Sequence, residues 1–253
     1  MKRLIALVLA SVVVGAGVFL FTRKVASQQE NRKAFTAFLV MSFYKDDVES
    51  HKNEFVLYAQ RGDGSHVRAT NRFGEVGQRW GVMKHIVDLR SRVEVGTDPW
   101  TDSKSTMPLS PGLLKFHSAP PLPPGCTKDP QAPHETILGY DTVKVIDQFG
   151  SEQALRAERW LAPALECFPL REVAKVGSLV GNEFVPKSRQ ETQVVWVAEG
   201  EPSESLFDVP KGYVERKPSE IDAEWYRMTG QHITPTTRLP GLDQRYERAQ
   251  QNR

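Results

Sequence analysis

The sequence predicts a mainly β (α+β) fold, built as a single antiparallel sheet with one or two packed helices. Two observations carry this. Strand-like runs recur at roughly ten-residue spacing and are separated by short polar turns, the pattern of an antiparallel meander. Only one stretch, just after Pro218, has both the composition and the end signals of a helix. At 253 residues, the chain has room for one large β-rich domain.

Taken in order, Phe35–Tyr44 is densely apolar and fits helix or strand by periodicity alone; the meander that follows assigns it to a strand. Glu54–Gln60 and His66–Asn71 flank Arg61-Gly62-Asp63-Gly64-Ser65, and Asp63-Gly64 between two such runs is a hairpin signal. The Arg61-Gly62-Asp63 tripeptide is read as part of that turn rather than as an adhesion motif. Trp80–Asp88, Arg90–Val95 and Lys104–Leu109 continue the series, with Asp98-Pro99 as a turn.

Ser110–Pro133 breaks the rhythm with a high density of prolines, which cannot donate to a central ladder. It is expected to be a stiff crossing loop, with a short helix around Gly112–His117. Asp141–Phe149 and Gln153–Leu161 then flank a turn at Gly150-Ser151, and Thr142, Val143, Val145 and Ile146 favour a pleated, partly buried strand. Pro169–Val176 and Thr192–Glu199 complete the strands, with Gly177–Arg189 expected as a turn or wide loop. Val194-Val195-Trp196-Val197 is apolar on both faces, as in a covered strand. Ser219–Thr229 is the helix, with Ser219 as its N-cap, Glu220 and Asp222 complementing its positive end and Gly230 at its close. Thr234–Arg253 is polar and expected to be loosely held, with a turn of helix at Leu242–Ala249.

Composition excludes some classes of function. The 33 Lys and Arg residues nearly balance 31 Asp and Glu, and both signs are scattered, which argues against a nucleic-acid binder. At the N-terminus, Lys2-Arg3 precede an apolar run, residues 4–21, closed by Arg23-Lys24. Its length falls between a signal-peptide core and a full membrane span. Val25-Ala26-Ser27 would suit cleavage, but Arg23-Lys24 sit close to that site, and this favours an uncleaved inner-membrane anchor over a cleaved signal. Three segments follow: the anchor or signal (1–27), a β domain (28–217), and a C-terminal helix with a polar tail (218–253). Cys126 and Cys167 are the only cysteines. In an exported chain they are expected to form one disulfide, tethering the proline-rich loop to the strand near Pro169.

No constellation of catalytic residues stands out. His51, His66, His85, His117, His134 and His232 are dispersed, with no zinc-binding spacing. Gly177-Ser178-Leu179-Val180-Gly181 has its serine in the wrong slot for a nucleophile elbow. There is no phosphate-binding glycine loop, and Asp46-Asp47 and His134-Glu135 read as solvated turn residues. The chain is therefore expected to be non-enzymatic, with no cofactor and no metal. What remains is apolar surface. Phe38, Val40, Phe55, Leu57, Trp80, Val82, Trp160 and Trp196, with Phe43 and Ile86, lie on expected strands. They form either an ordinary core or an apolar face for a ligand.

Three short motifs resemble the outer-membrane lipoprotein-sorting (lipoprotein-carrier-like) superfamily. Gly139-Tyr140-Asp141 precedes a strand, Trp160-Leu161-Ala162-Pro163 ends the next, and Phe168-Pro169-Leu170-Arg171 opens another. Leu206-Phe207-Asp208-Val209-Pro210-Lys211-Gly212-Tyr213 is similar to the way such domains end their sheet. The resemblance spans roughly Phe35 to Tyr213. It implies a strongly curved sheet, an incomplete β-barrel, whose concave face holds acyl chains by apolar burial at roughly 0.8 kcal/mol per methylene. It also implies export to the periplasm. On this reading the protein binds a hydrophobic or lipidated ligand in a half-barrel. The alternative is an envelope interaction or sensor module contacting a protein partner through the same sheet, as similar domains in stress-signalling regulators do.

Overall fold

The computed structural model describes residues 32–45, 48–72, 81–118, 126, 133–149, 154–180, 183–230, 232 and 236–251. The apolar run 4–21, Trp80 and most of the proline-rich crossing segment lie outside the described residues. Among the described residues no helix is long and apolar enough to cross a membrane.

Strands β1 (Phe35–Lys45), β2 (Val48–Gln60), β3 (His66–Arg72), β4 (Gly81–Asp88), β5 (Val93–Asp98) and β6 (Ser103–Pro108) form one up-and-down meander. Helix α1 (Pro111–Ser118) leads into the crossing segment. A second meander follows: β7 (His134–Ile137), β8 (Tyr140–Phe149), β9 (Ala154–Ala162), β10 (Phe168–Val180) and β11 (Glu183–Glu199). A two-residue strand β12 (Val214–Glu215) and helices α2 (Pro218–Thr229) and α3 (Leu239–Gln251) end the chain. The sheet order is β12-β6-β5-β4-β3-β2-β1-β11-β10-β9-β8-β7. Every pairing is antiparallel except the short β12–β6 edge, where Val214 lies opposite Ser103. The sheet is curved and unclosed, the incomplete barrel expected from the sequence.

Burial alternates along β1 with the period of a strand, which settles its assignment. Phe35, Ala37, Leu39 and Met41 are buried while Phe38 and Val40 are only half-buried. The buried set packs with Val56, Ala162, Leu165, Leu170 and Val194 as the main core. The Asp63-Gly64 turn forms as expected: Gly64 adopts φ +87°, and the Asp63 carboxylate accepts the Ser65 N–H at 2.8 Å. Arg61 of the tripeptide is buried, with its guanidinium 3.6 Å over the Phe207 ring, so it is not presented to a receptor.

Four elements differ from expectation. Gly177–Arg189 is not a wide loop, because β10 and β11 continue as a hairpin to Val180 and from Glu183. Gly177 and Pro186, the residues that suggested a loop, sit opposite each other at a bulge, where an added Cβ on Gly177 would run into the Val185 carbonyl. Strand β7 is too short to show in the sequence; it is turned into β8 by Leu138 and Gly139, both with positive φ as in a type I′ hairpin.

Helix α2 starts one residue before the expected boundary, with Lys217 as N-cap. The Glu220 carboxylate accepts the Lys217 N–H at 2.9 Å, and the Ser219 N–H is spent on Asp243. Gly230 closes the helix in the left-handed region at φ +71°. Finally, the expected loose tail carries a full helix, α3. Its Tyr246 is buried, and Leu242, four positions earlier, is half-buried, a stripe too narrow to stand out among its polar neighbours.

Cys126 and Cys167 are bonded, with Cα atoms 6.0 Å apart and 41 positions between them in sequence. Both are buried against Leu161, so the bridge ties the crossing segment to the β9–β10 turn. Closing a loop of this size restricts the unfolded chain. A Cys126→Ser/Cys167→Ser variant is expected to lose about 2–4 kcal/mol of stability. Urea unfolding of the two proteins side by side reads this; equal midpoints would show that the bridge adds nothing.

Candidate functional site

Residues directly opposite across an antiparallel pair share a face, so the registers sort side chains into two sets. On one face, called inner here, Val56 lies opposite Leu39 and Thr70, and Arg68 lies opposite Tyr58 and His85. His85 in turn faces Gly96, and Gly96 faces Ser105. Helices α2 and α3 stand over this face at an open cavity of about 880 Å³. Met41, Phe43, Met83 and Met107 supply its apolar floor, and Pro218, Ile221 and Leu242 of the helices its apolar roof. Methionines suit such a floor because an unbranched thioether adapts to irregular apolar shapes. The Gly96 position is open, with no heavy atom within 4 Å of where a Cβ would stand.

Polar groups on the wall are mostly satisfied within the protein. Glu94 receives the His85 ring at 2.8 Å and the Arg245 guanidinium of α3 at 3.1 Å. The His85 ring, helped by Arg245, holds the Glu94 carboxyl down to about 2 against the cost of burial. This triad is the latch that fastens α3 to β5. Asp222 of α2 is paired with His232. Burial pushes the Asp98 carboxyl above its usual range, with the Trp100 N–H and the Thr101 hydroxyl opposing it. Arg68 is different. Its guanidinium reaches across the floor to the Met41 sulfur at 3.5 Å and forms no ion pair with a described carboxylate. Among the described residues, Arg68 and the Glu54 carboxylate line the cavity without an ion pair, between an apolar floor and an apolar roof. Among the described residues there is no group of His, Cys, Asp or Glu that could hold a metal ion.

The residues singled out in the sequence fall elsewhere. Val82, Phe55 and Val40 lie in one row, and Leu57, Phe38 and Trp196 in the next, all on the outer face. None of these six lines the cavity. Trp160 shares the outer face but is 7% exposed, clamped between Arg171 and Lys144 at 3.7 and 4.7 Å from its ring centre. Of the two further candidates, Phe43 lines the cavity, and Ile86 is buried on the outer face under Leu206, Phe207 and Val209. The Val194–Val197 strand is not covered on both sides, since Val195 and Trp196 are about half exposed. Sequence reasoning missed the actual lining because Arg68, Thr70, His85, Glu94 and Ser105 read individually as solvated polar residues. Only the pairing register brings them to one wall.

No protein-family model matches the chain, and no curated protein matches it by sequence. Among solved structures, the chain is similar to the MucA/MucB complex of Pseudomonas aeruginosa at 10% identity and TM-score 0.38, over 74% of this chain and 59% of that one. It is also similar to the lipoprotein LppX of Mycobacterium tuberculosis, at 13% identity and TM-score 0.33, over 72% and 94% of the two chains. A third likeness is to a LolA superfamily protein from Nitrosomonas europaea, at 10% identity and TM-score 0.29, over 74% and 97%.

Two predictions follow from the charges. Glu94→Gln removes the anion that Arg245 and His85 share, so α3 should lose its hold on β5. Hydrogen exchange should then quicken across 239–251 with the sheet unchanged; unchanged exchange there would show that apolar packing alone holds the helix.

The second concerns His66, which packs between Tyr58 and His117 with Arg32 nearby; burial first, and then the neighbouring His117, His85 and Arg32, depress its pKa from 6.5 to about 4 against the hydrogen bond to the Gly64 carbonyl. The unfolded chain therefore binds the extra proton between those values. The contribution of neutral His66 is complete above pH 6.5 and is lost as pH falls toward 4, on the order of 2–3 kcal/mol. His66→Phe should flatten urea midpoints between pH 6.5 and 4.5; an equally steep decline would assign the loss to other groups.

Proposed function

We propose that this is an exported envelope protein, held at the inner membrane by residues 4–21, that binds a hydrophobic or lipidated ligand in its half-barrel without catalysing a reaction on it. The observation that carries the reading is the cavity under α2 and α3. Its volume of about 880 Å³ falls within the roughly 300–1,000 Å³ of small-molecule sites. A methionine-rich floor and an aliphatic roof favour an alkyl chain through burial alone, at about 0.8 kcal/mol per methylene. Arg68 adds a place for a carboxylate or phosphate at the polar end of such a molecule. The sequence motifs at Trp160–Arg171 and Leu206–Tyr213 support the same class of ligand. Phe38, Val40, Phe55, Leu57, Val82 and Trp196 take no part in this site.

The test uses a fluorescent fatty acid, with native mass spectrometry of detergent-free protein as a second readout. The wild-type chain should take up the probe and carry lipid from its host. Gly96→Phe projects a ring into open cavity space without meeting backbone, so it should abolish uptake while leaving the melting temperature near that of the wild type. Arg68→Gln should weaken the fatty acid by about tenfold, the worth of one charge-assisted hydrogen bond, and leave a neutral ester unaffected. Wild-type protein that carries no lipid and takes up neither probe would end the proposal.

A further inference from the structure

The outer face of the sheet holds an apolar surface that the cavity does not use. Six side chains form it in two adjacent rows across β4, β2, β1 and β11: Val82, Phe55 and Val40, then Leu57, Phe38 and Trp196. Phe38 and Phe55 stack at 5.8 Å, Trp196 is 50% exposed and Val82 44%. Toward β5 the same face is covered by the chain itself, where Leu206, Phe207 and Val209 pack over Ala59, Val67, Ile86 and Val95. Val82 borders a second cavity with Pro99, Pro210 and Tyr213, and Phe38, Val40, Phe55 and Leu57 are half-buried. Toward β8 the surface becomes basic and aromatic: Arg171 and Lys144 flank Trp160, Arg189 lies over Tyr44, and Arg156 and Lys175 share this side of the sheet.

We infer that this outer face docks on the surface of a lipid bilayer carrying anionic headgroups. Two observations commit it to that occupant. The first is chemical. An exposed Trp beside half-buried Phe side chains, bordered by Lys and Arg, matches the interfacial zone, where amphipathic rings sit at headgroup depth and cations meet phosphates. On this part of the face Lys144, Arg156, Arg171, Lys175 and Arg189 stand against Glu135, Glu158, Glu191 and, at the register position opposite Tyr44, Glu49; Arg171 is paired with Glu135, Lys144 and Arg156 with Glu158, and Arg189 with Glu191, which leaves a surplus of one positive charge.

The second observation is the tether. The apolar run ends at Phe21, and the described chain begins at Arg32, whose N–H is bonded to the Gly62 carbonyl six residues before Phe38. Eleven residues span at most about 40 Å, so residues 4–21 in a membrane hold the start of β1, the strand that carries Phe38 and Val40, within that distance of it. A tethered contact acts at high effective concentration and needs little intrinsic affinity. This inference rests on the anchoring read under the proposed function. Its consequence is an orientation: with the outer face on the bilayer, the cavity opens away from that membrane and receives its ligand from the aqueous side.

The full chain is reconstituted into phosphatidylcholine vesicles with and without phosphatidylglycerol, using brominated lipid as a quencher of tryptophan emission. Subtracting the spectrum of Trp196→Phe isolates Trp196 from the other four tryptophans. The expected result is a blue-shifted Trp196 component that brominated lipid quenches, more strongly when phosphatidylglycerol is present. A chain that sediments with vesicles while Trp196 stays open to aqueous iodide and unquenched by brominated lipid overturns the docking but leaves the anchor intact. Protection of Trp196 in native envelopes without quenching by lipid would identify a protein as the occupant and overturn it equally. A chain that does not sediment with vesicles removes the anchor reading, and the docking with it.

Discussion

The pairing of β1 with β11 is the constraint on which everything else depends. Each half of the chain is a meander whose strands pair with their sequence neighbours, so either could form locally. Only the β1–β11 ladder, from Phe35 opposite Glu199 to Lys45 opposite Ser188, makes them one sheet. Its partners are separated by most of the chain, so the entropy of closing that loop must be met before the contact contributes. The entrance to β1 is fixed accordingly. Glu166, at the β9–β10 turn, accepts from the Arg32 guanidinium, the Lys33 N–H and the Gln60 side-chain amide. Burial opposes ionisation of this carboxyl, yet those donors together keep it below its ordinary range. One side chain thus joins the start of β1, the end of β2 and the second meander. It does so from a left-handed backbone at φ +54° that a non-glycine residue adopts at some cost.

A single irregularity in that ladder decides which way the apolar residues face. Phe38 pairs with Trp196, but the next pair is Leu39 with Val194, so Val195 is the extra residue of a bulge. In an unbroken strand Val194 and Trp196 would share a side. With the bulge, Val194 enters the core and Trp196 turns outward beside Phe38. An apolar run that reads as a strand covered on both sides is therefore half-exposed instead, and the surface at Phe38 and Trp196 exists because of one inserted residue. No feature of Val194-Val195-Trp196-Val197 announces the insertion, since all four residues are apolar.

Much of the fold was legible because its local signals agree with its global arrangement. Asp63-Gly64 and Gly230 act where their chemistry requires, most of the strands stand where β-branched and aromatic residues recur, and Cys126 meets Cys167. The misreadings share a cause: each is a case where a long-range partner overrides a local signal. Gly177 and Pro186 suggest a loop, but each is tolerated because the other lies opposite. The sequence around Tyr246 looks like a polar tail, but Glu94, about 150 residues earlier, holds Arg245 and turns it into a packed helix. The cavity is the extreme case. The apolar residues that read as a ligand face do form a genuine cluster, but the alternation of strands assigns a cluster to a side only once register is known.

The two faces divide the work by what each does with polarity. The inner wall keeps charges and settles them with protein partners, Glu94 with His85 and Arg245 and Asp222 with His232, so that the helices are fastened over a methionine floor. The cations at Glu94 are thereby committed to holding the roof, whereas Arg68 and Glu54 line the cavity with no ion pair among the described residues. On the outer face the apolar rows carry no charge, and the cations gathered at one end over Trp160 and Tyr44 are paired there as well, Arg171 with Glu135, Lys144 and Arg156 with Glu158, and Arg189 with Glu191. A ligand chain and a bilayer both ask for buried methylenes, but they differ in where charge must stand. A small guest needs a charge beside an apolar cleft, whereas a membrane surface needs aromatic and aliphatic side chains with several cations beside them. The two proposals place the first demand on the side the helices stand over and the second on the opposite side, so one layer of strands carries both without the sites competing.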